Sequence, residues 1–196
     1  MSEPIVGLVE KIRLLELELE AEIAKRGAEL RYGLEQGRVV FAEEVRRRHK
    51  ELKTKLWRYM LRARPLVALT APVIYVLIVP LVILDVSVNL YQAICFPAYG
   101  LKKVRRRDYF VFDRNHLAYL NLLEKLNCAY CSYATGMISF VQEVVARTES
   151  YWCPIKHARR LIGAHAHYRD FVEFGDAEAY RVWLAGFTSE VQNRRG

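Results

Sequence analysis

From Ile12 onward, apolar residues recur with spacings of three, four and four. The seam runs Ile12, Leu15, Leu19, Ile23, Arg26, Leu30, Leu34, Gly37, Phe41, Val45, Arg48, Leu52 and Leu56. Ten of these thirteen positions are apolar, and the exceptions, Arg26, Gly37 and Arg48, stand eleven residues apart. An eleven-residue repeat averages about 3.67 residues per turn, which predicts a nearly straight or slightly right-handed coil. Residues 1–64 are therefore expected to form a long amphipathic, coiled-coil-like helix. It would self-associate or pair with a partner helix, the alternative being an ordinary amphipathic helix docked on its own domain. Gly27, Gly33 and Gly37 each lower helix propensity, so a break is plausible within "YGLEQG". Trp57 and Tyr59, near the end of the segment, suit the level of lipid headgroups.

The pattern changes at Pro65. "PLVALTAPVIYVLIVPLVILDVSVNLYQAICFPAYGL" runs for 37 residues with Asp85 as its only formal charge. A helix needs about 20 residues to cross the hydrocarbon. The segment is too long for one simple span and slightly short for two with a turn. Pro80 sits near its middle, where it removes a helix hydrogen bond and clashes with the preceding turn. Residues 65–101 are expected to form a membrane re-entrant helical hairpin bent near Pro80, ahead of two thin spans or a single span. Asp85, Asn89 and Gln92 lie at i, i+4 and i+7 and share one face of the second leg. That face is expected to pack against the first leg or a second subunit. An intramembrane carboxylate is also a candidate for an ion path, but one acid on two short legs is thin support for transport.

Charge decides where the ends of this segment lie. A net charge of +8 would suit nucleic acid if it were spread over a soluble domain. Instead, nine Lys and Arg stand against Glu51 alone between Arg46 and Arg64, and "KKVRRR" follows the apolar run directly. Arg58, Arg62, Arg64, Lys102, Lys103, Arg105, Arg106 and Arg107 are expected to face anionic lipid headgroups, at about 1 kcal/mol each. Nucleic acid is not an expected partner. Positive flanks mark the cytoplasmic side, and both flanks are positive, so both termini are expected on the cytoplasmic side of an inner membrane. The first thirty residues carry seven Glu against four Lys and Arg, unlike a secretory signal. The anchor is expected to be internal.

Residues 102–196 are expected to form a small helical domain, making the fold all-α. Asp113 would cap a helix through "RNHLAYLNLLEKLNCAYC", "SYATG" would interrupt it, and Met137 to Arg147 would form a second helix. Pro154 suits the first position of a third helix after Cys153, and Asp176 would cap the last. Three of the four cysteines fall here. Cys128 and Cys131 form a C-x2-C pair, and Cys153 with His157 forms a C-x3-H pair. Thiols on the cytoplasmic side stay reduced, which disfavours disulfides. Three thiolates and an imidazole make a common closed tetrahedral set for zinc, with iron as the alternative. Each pair has helical ligand spacing. The two pairs meet only if the chain bends, and the Thr135–Gly136 step is the expected bend. Buried apolar cysteines or a redox pair at Cys128 and Cys131 are the other readings. His165 and His167 form a possible second pair, more simply read as surface or core histidines.

"PAYGLKKVRRRDYFVFDRNHLAYLNLLEKLNCAYCSYATG" and "YWCPIKHARR" together resemble a family of bacterial membrane-associated proteins to which no activity is assigned. The resemblance spans roughly Leu66 to Arg160, leaves the N-terminal helix outside, and implies a bacterial origin without implying a reaction. The leading functional expectation is a non-enzymatic membrane-anchored scaffold or assembly protein whose helical domain is closed by the metal. The alternative is a membrane-bound redox or metal-dependent enzyme using the same Cys/His cluster. No nucleophile beside a general base and no phosphate loop supports that alternative, and Glu124 is the only acid near Cys128.

Overall fold

Gly27 shows how the N-terminal segment departs from a single long helix. The computed structural model describes residues 3–30, 32–35, 38–58 and 65–193. Helix α1 (Glu3–Glu29) ends well short of residue 64. Strands β1 (Tyr32–Glu35) and β2 (Arg38–Phe41) follow, paired antiparallel with Tyr32 opposite Phe41, and then the short helix α2 (Glu43–Glu51). Glycine and the β-branched Val39 and Val40 favour this ribbon over a helical continuation. The Tyr32 ring lies over buried Gly27, where a Cβ would come within 3.1 Å of it. The eleven-residue seam is thus interrupted, with Ile12 to Arg26 on α1, Val45 and Arg48 on α2, and the β-ribbon between them. The break expected at "YGLEQG" is a β-ribbon, and Gly37, Arg62 and Arg64 lie outside the described residues.

Apart from that ribbon the fold is all-α, as expected. Helices α3 (Pro65–Val76) and α4 (Ile78–Tyr99) cover the apolar segment. Helix α5 (Leu122–Trp152) and helix α6 (Ala177–Asn193) complete the described elements. The chain divides into two compact units, Met1–Leu69 with Phe112–Tyr130, and Thr70–Val111 with Cys131–Gly196.

In the first unit an aromatic series joins segments from either side of the apolar helix. The Phe41 ring stands 5.1 Å from His49, and His49 stands 5.0 Å from Tyr119, both edge to face. Asn121 and Glu124 form a reciprocal cap at the start of α5. The Glu124 N–H donates to Asn121 Oδ1 at 3.0 Å, and the Asn121 N–H donates to Glu124 Oε2 at 2.8 Å. This cap sits eight residues later than the one expected at Asp113, and Asp113–His116 is only a 3₁₀ turn. Glu124 is a capping residue, which accounts for its place one turn before Cys128.

In the second unit the chain passes Pro80 without reversing. Leu77 keeps helical backbone angles (φ −61°, ψ −14°), the Leu77 N–H donates to Ile74 O at 3.2 Å, and the Leu81 N–H donates to Leu77 O at 3.4 Å. Pro80 has no N–H to donate to the Val76 carbonyl, a loss a helix survives with a local interruption. The expected hairpin bend is therefore one helix, Ala68–Tyr99. It ends at Gly100, whose left-handed backbone (φ 70°) lets the Leu101 N–H reach Phe96 O at 2.8 Å. The core of this unit is Phe96, Val104, Met137, Phe140 and Val144, with Leu81, Leu84, Val88 and Tyr91 packed against it.

Helix α5 is likewise unbroken through Gly136. A Cβ there would lie 2.6 Å from the Tyr109 carbonyl and 3.2 Å from the Phe110 ring. Glycine serves close approach by the 109–110 segment, not a bend. The third helix expected from Cys153 does not form. Pro154 is buried and starts an irregular stretch held by a single parallel bridge, Ile155 to Val172. Asp176 caps α6 as expected, accepting from the Ala179 N–H at 2.9 Å.

Candidate functional site

The expected face of Asp85, Asn89 and Gln92 exists, and its partner is the chain's own later segment. Asp85 is 8% exposed. Its Oδ1 accepts from the Arg106 guanidinium and from Asn89 Nδ2, and its Oδ2 accepts from the Tyr133 hydroxyl at 2.9 Å. Two turns along, the buried Gln92 side chain accepts from the Val104 N–H and donates to the Val104 carbonyl. The buried Asp85 carboxylate and the buried Gln92 amide are each answered by named partners, the condition for tolerating them away from water. Arg106 also lies over the Phe110 ring at 4.1 Å. Burial first, and then the hydrogen bond to Asp85, push the Tyr133 phenol above its ordinary value. It remains a donor at neutral pH.

This arrangement revises the basic flank. Arg106 turns inward to Asp85 instead of facing headgroups, and buried Val104 anchors the loop between two cationic pairs. Lys102, Lys103, Arg105 and Arg107 are exposed, as is Arg58, which lies 5.4 Å over the Trp57 ring.

The four expected metal ligands are placed as follows. Cys128 is half-buried and Cys131 exposed, both on α5, while Cys153 is exposed just beyond its C-terminal end. His157 is exposed, stacks on Tyr168 at 6.2 Å and donates its backbone N–H to the Tyr168 hydroxyl. With the helix continuous, Cys131 and Cys153 are separated by about 30 Å along its axis. The two pairs required a bend at Thr135–Gly136 to meet, and that bend is absent. Among the described residues no group of three or more His, Cys, Asp and Glu could hold a metal ion.

The histidines that do find acidic partners are His165 and His167. His165 Nε2 lies 2.9 Å from Glu149 Oε2, and His167 Nε2 lies 3.2 Å from Glu143 Oε1. Arg147 donates from Nε to Glu143 at 2.8 Å and from Nη1 to the Lys102 carbonyl at 2.7 Å. Burial alone would raise the Glu143 carboxyl, but hydrogen bonds from Arg147 and His167 hold it below its ordinary value. These contacts fasten the irregular 154–176 stretch to α5. Sequence reasoning missed Glu143, which stood on the predicted Met137–Arg147 helix, and Glu149, two residues beyond its expected end, although the nearby "HAH" was visible.

The chain therefore presents buried polar pairing at a helix interface and a long apolar surface, without a nucleophile set beside a base among the described residues. Comparison with protein families, with curated proteins and with solved structures gives no match. Ala68–Tyr99 is long and apolar enough to cross a membrane, and only 6% of its most apolar stretch is buried against protein.

Proposed function

We propose that the chain is a membrane-anchored structural protein of the scaffold or assembly type, inserted from one face of a bacterial inner membrane with both basic flanks on the cytoplasmic side. The observation that carries this reading is the contact of His49 with Tyr119, which come from opposite sides of the apolar helix. A helix crossing about 30 Å of hydrocarbon without reversing would put its flanks on opposite faces, and that contact could not form. One-sided insertion keeps it. The exposed side chains of Val73, Val76, Val79 and Ile83 supply the lipid-facing surface, and the positive flanks favour the cytoplasmic side. The apolar seam of α1 supports lateral assembly, because Ile12, Leu15, Leu19 and Ile23 are each about half exposed along one line. A second copy of this chain is the occupant that seam fits best.

The test uses single cysteines at Arg58 and Lys103, in a background with the four native cysteines replaced by serine, and a membrane-impermeant maleimide. Both sites are expected to react in inside-out vesicles and to resist in intact cells. Labelling from opposite faces would overturn one-sided insertion. Recovery of the untreated chain in the lipid-free supernatant would overturn the anchor itself.

A further inference from the structure

We propose that the concavity between α2, β2 and the segment leading into α5 is a binding site for a phosphate ester. It measures about 730 Å³, and its charged lining is Arg46, Lys50, Lys53 and Lys125 with the imidazoles of His49 and His116. No Asp or Glu is among its lining residues. The plain alternative is a solvated basic face that complements the C-terminal end of α2. That accounts for Lys50 and for His49, but not for Lys125 and His116, which arrive from a different part of the chain to face the same space. Some cations elsewhere in the described structure have carboxylate partners, as in Arg147 with Glu143 and Lys156 with Glu173. Arg46, Lys50, Lys53 and Lys125 have no such ion pair among the described residues.

Like charges gathered in one concavity repel, so a bound phosphate anion would stabilise the folded unit. Arg46, His49, Lys50 and Lys53 stand at i, i+3, i+4 and i+7, so they share one side of α2 and its C-terminal extension. His49 is fixed edge to face between Phe41 and Tyr119, and its Nδ1 is buried with no hydrogen-bond partner among the described residues. Asn115 adds an amide able to donate. The volume falls in the range of small-molecule sites, about 300–1,000 Å³, and exceeds what inorganic phosphate alone would fill. The ligand class is thus a phosphoryl group with an organic carrier, either free in solution or at a lipid headgroup. The site lies wholly in the first unit and does not rest on how the apolar helix meets the membrane.

The experiment uses the full chain in neutral detergent. Binding of glycerol 3-phosphate is followed by equilibrium dialysis, and binding to phosphatidylcholine vesicles with or without phosphatidylglycerol by flotation. Wild type is compared with the triple variant Lys50→Gln, Lys53→Gln, Lys125→Gln and with a control of equal charge at exposed positions away from the concavity and the basic flanks, Arg159→Gln, Arg160→Gln, Arg181→Gln. The concavity variant is expected to weaken binding by about tenfold or more, as for loss of charge-assisted contacts, with the control within about twofold of wild type. Loss on glycerol 3-phosphate assigns a free ester, and loss on phosphatidylglycerol vesicles alone assigns a headgroup. Equal weakening by both variants, or no phosphate-dependent binding by wild type to either probe, overturns the site. A His49 imidazole resonance in wild type that stays fixed on saturation with the bound probe also overturns it, independently of how the variants fold.

Discussion

The helix that runs from Ala68 to Tyr99 has two halves that differ in polarity and in fate. Before Asp85, residues such as Val73, Val76, Val79 and Ile83 are exposed around most of the helix. From Asp85 onward one face is gripped, with Asp85, Gln92 and Phe96 buried, while Val86, Leu90 and Ile94 stay exposed on the other. Both halves are mostly apolar, but Asp85, Ser87, Asn89 and Gln92 all fall in the second. The difference lies in three polar side chains with specific partners. A methyl group is satisfied by any apolar neighbour, whereas a buried carboxylate or amide needs donors and acceptors at fixed positions. In this helix the polar residues set which face meets α5, and the apolar residues supply the area once that face is chosen.

The strongest way to break the contrast is to push the gripping segment off. Gly136→Ala would place a Cβ 2.6 Å from the Tyr109 carbonyl, a backbone atom that cannot swing aside as a side chain would. Tyr109 and Phe110, which pack against the core around Phe140, must then move. Overpacking of this kind is expected to cost about 3 kcal/mol, read as a lower denaturant midpoint for the detergent-solubilised chain. Membrane partitioning should not change, because Val73, Val76 and Val79 are exposed and lie away from that contact. An unaltered midpoint would mean that the 109–110 segment does not sit on Gly136 in solution.

Asp85→Ala sharpens the same contrast with a smaller effect. It removes the side-chain acceptor of Arg106 and Tyr133, while Asn89 keeps its bond to the Asp85 carbonyl. Removing one member of a fully buried pair costs about 3–5 kcal/mol. The Arg106 side chain is 43% exposed and recovers some hydration, so about 2 kcal/mol is the expected loss. A double-mutant cycle with Arg106→Ala should return a coupling of about 1 kcal/mol or more. Additive single effects would show that the face is held by apolar contacts alone.

These residues also show what can be read from a sequence. Asp85, Asn89 and Gln92 were legible because polar residues at helical spacing within an apolar run define a face without any long-range knowledge. Asp176 was legible for a similar local reason, since a cap acts within three residues. Gly136 was not. A glycine that lets a helix bend and a glycine that lets another segment approach look identical until the approaching carbonyl is known. The cysteine pairs failed at the same step. Cys128 with Cys131 and Cys153 with His157 are locally well spaced, but their meeting depended on whether the helix between them continued. Seen from the other side, Pro80 overstated its effect, because one missing helix hydrogen bond does not reverse a chain.

The smallest effect concerns how the 154–176 stretch is fastened to α5. Glu143 is held below its ordinary value although burial opposes this, because Arg147 and His167 both bond its carboxylate. A carboxyl whose folded value is depressed contributes stability that is fully present above its unfolded value and is lost as pH falls through the folded one. The melting temperature should therefore decline as pH is lowered from about 5 towards 3. Glu143→Gln should flatten part of that decline while lowering stability at neutral pH. The grip on Asp85 uses different groups, so the Asp85→Ala variant should keep the Glu143-dependent part of the slope. Loss of that part in Asp85→Ala would mean that the two faces of α5 titrate as one network, and the division between a gripped helix face and a separately fastened 154–176 stretch would have to be given up.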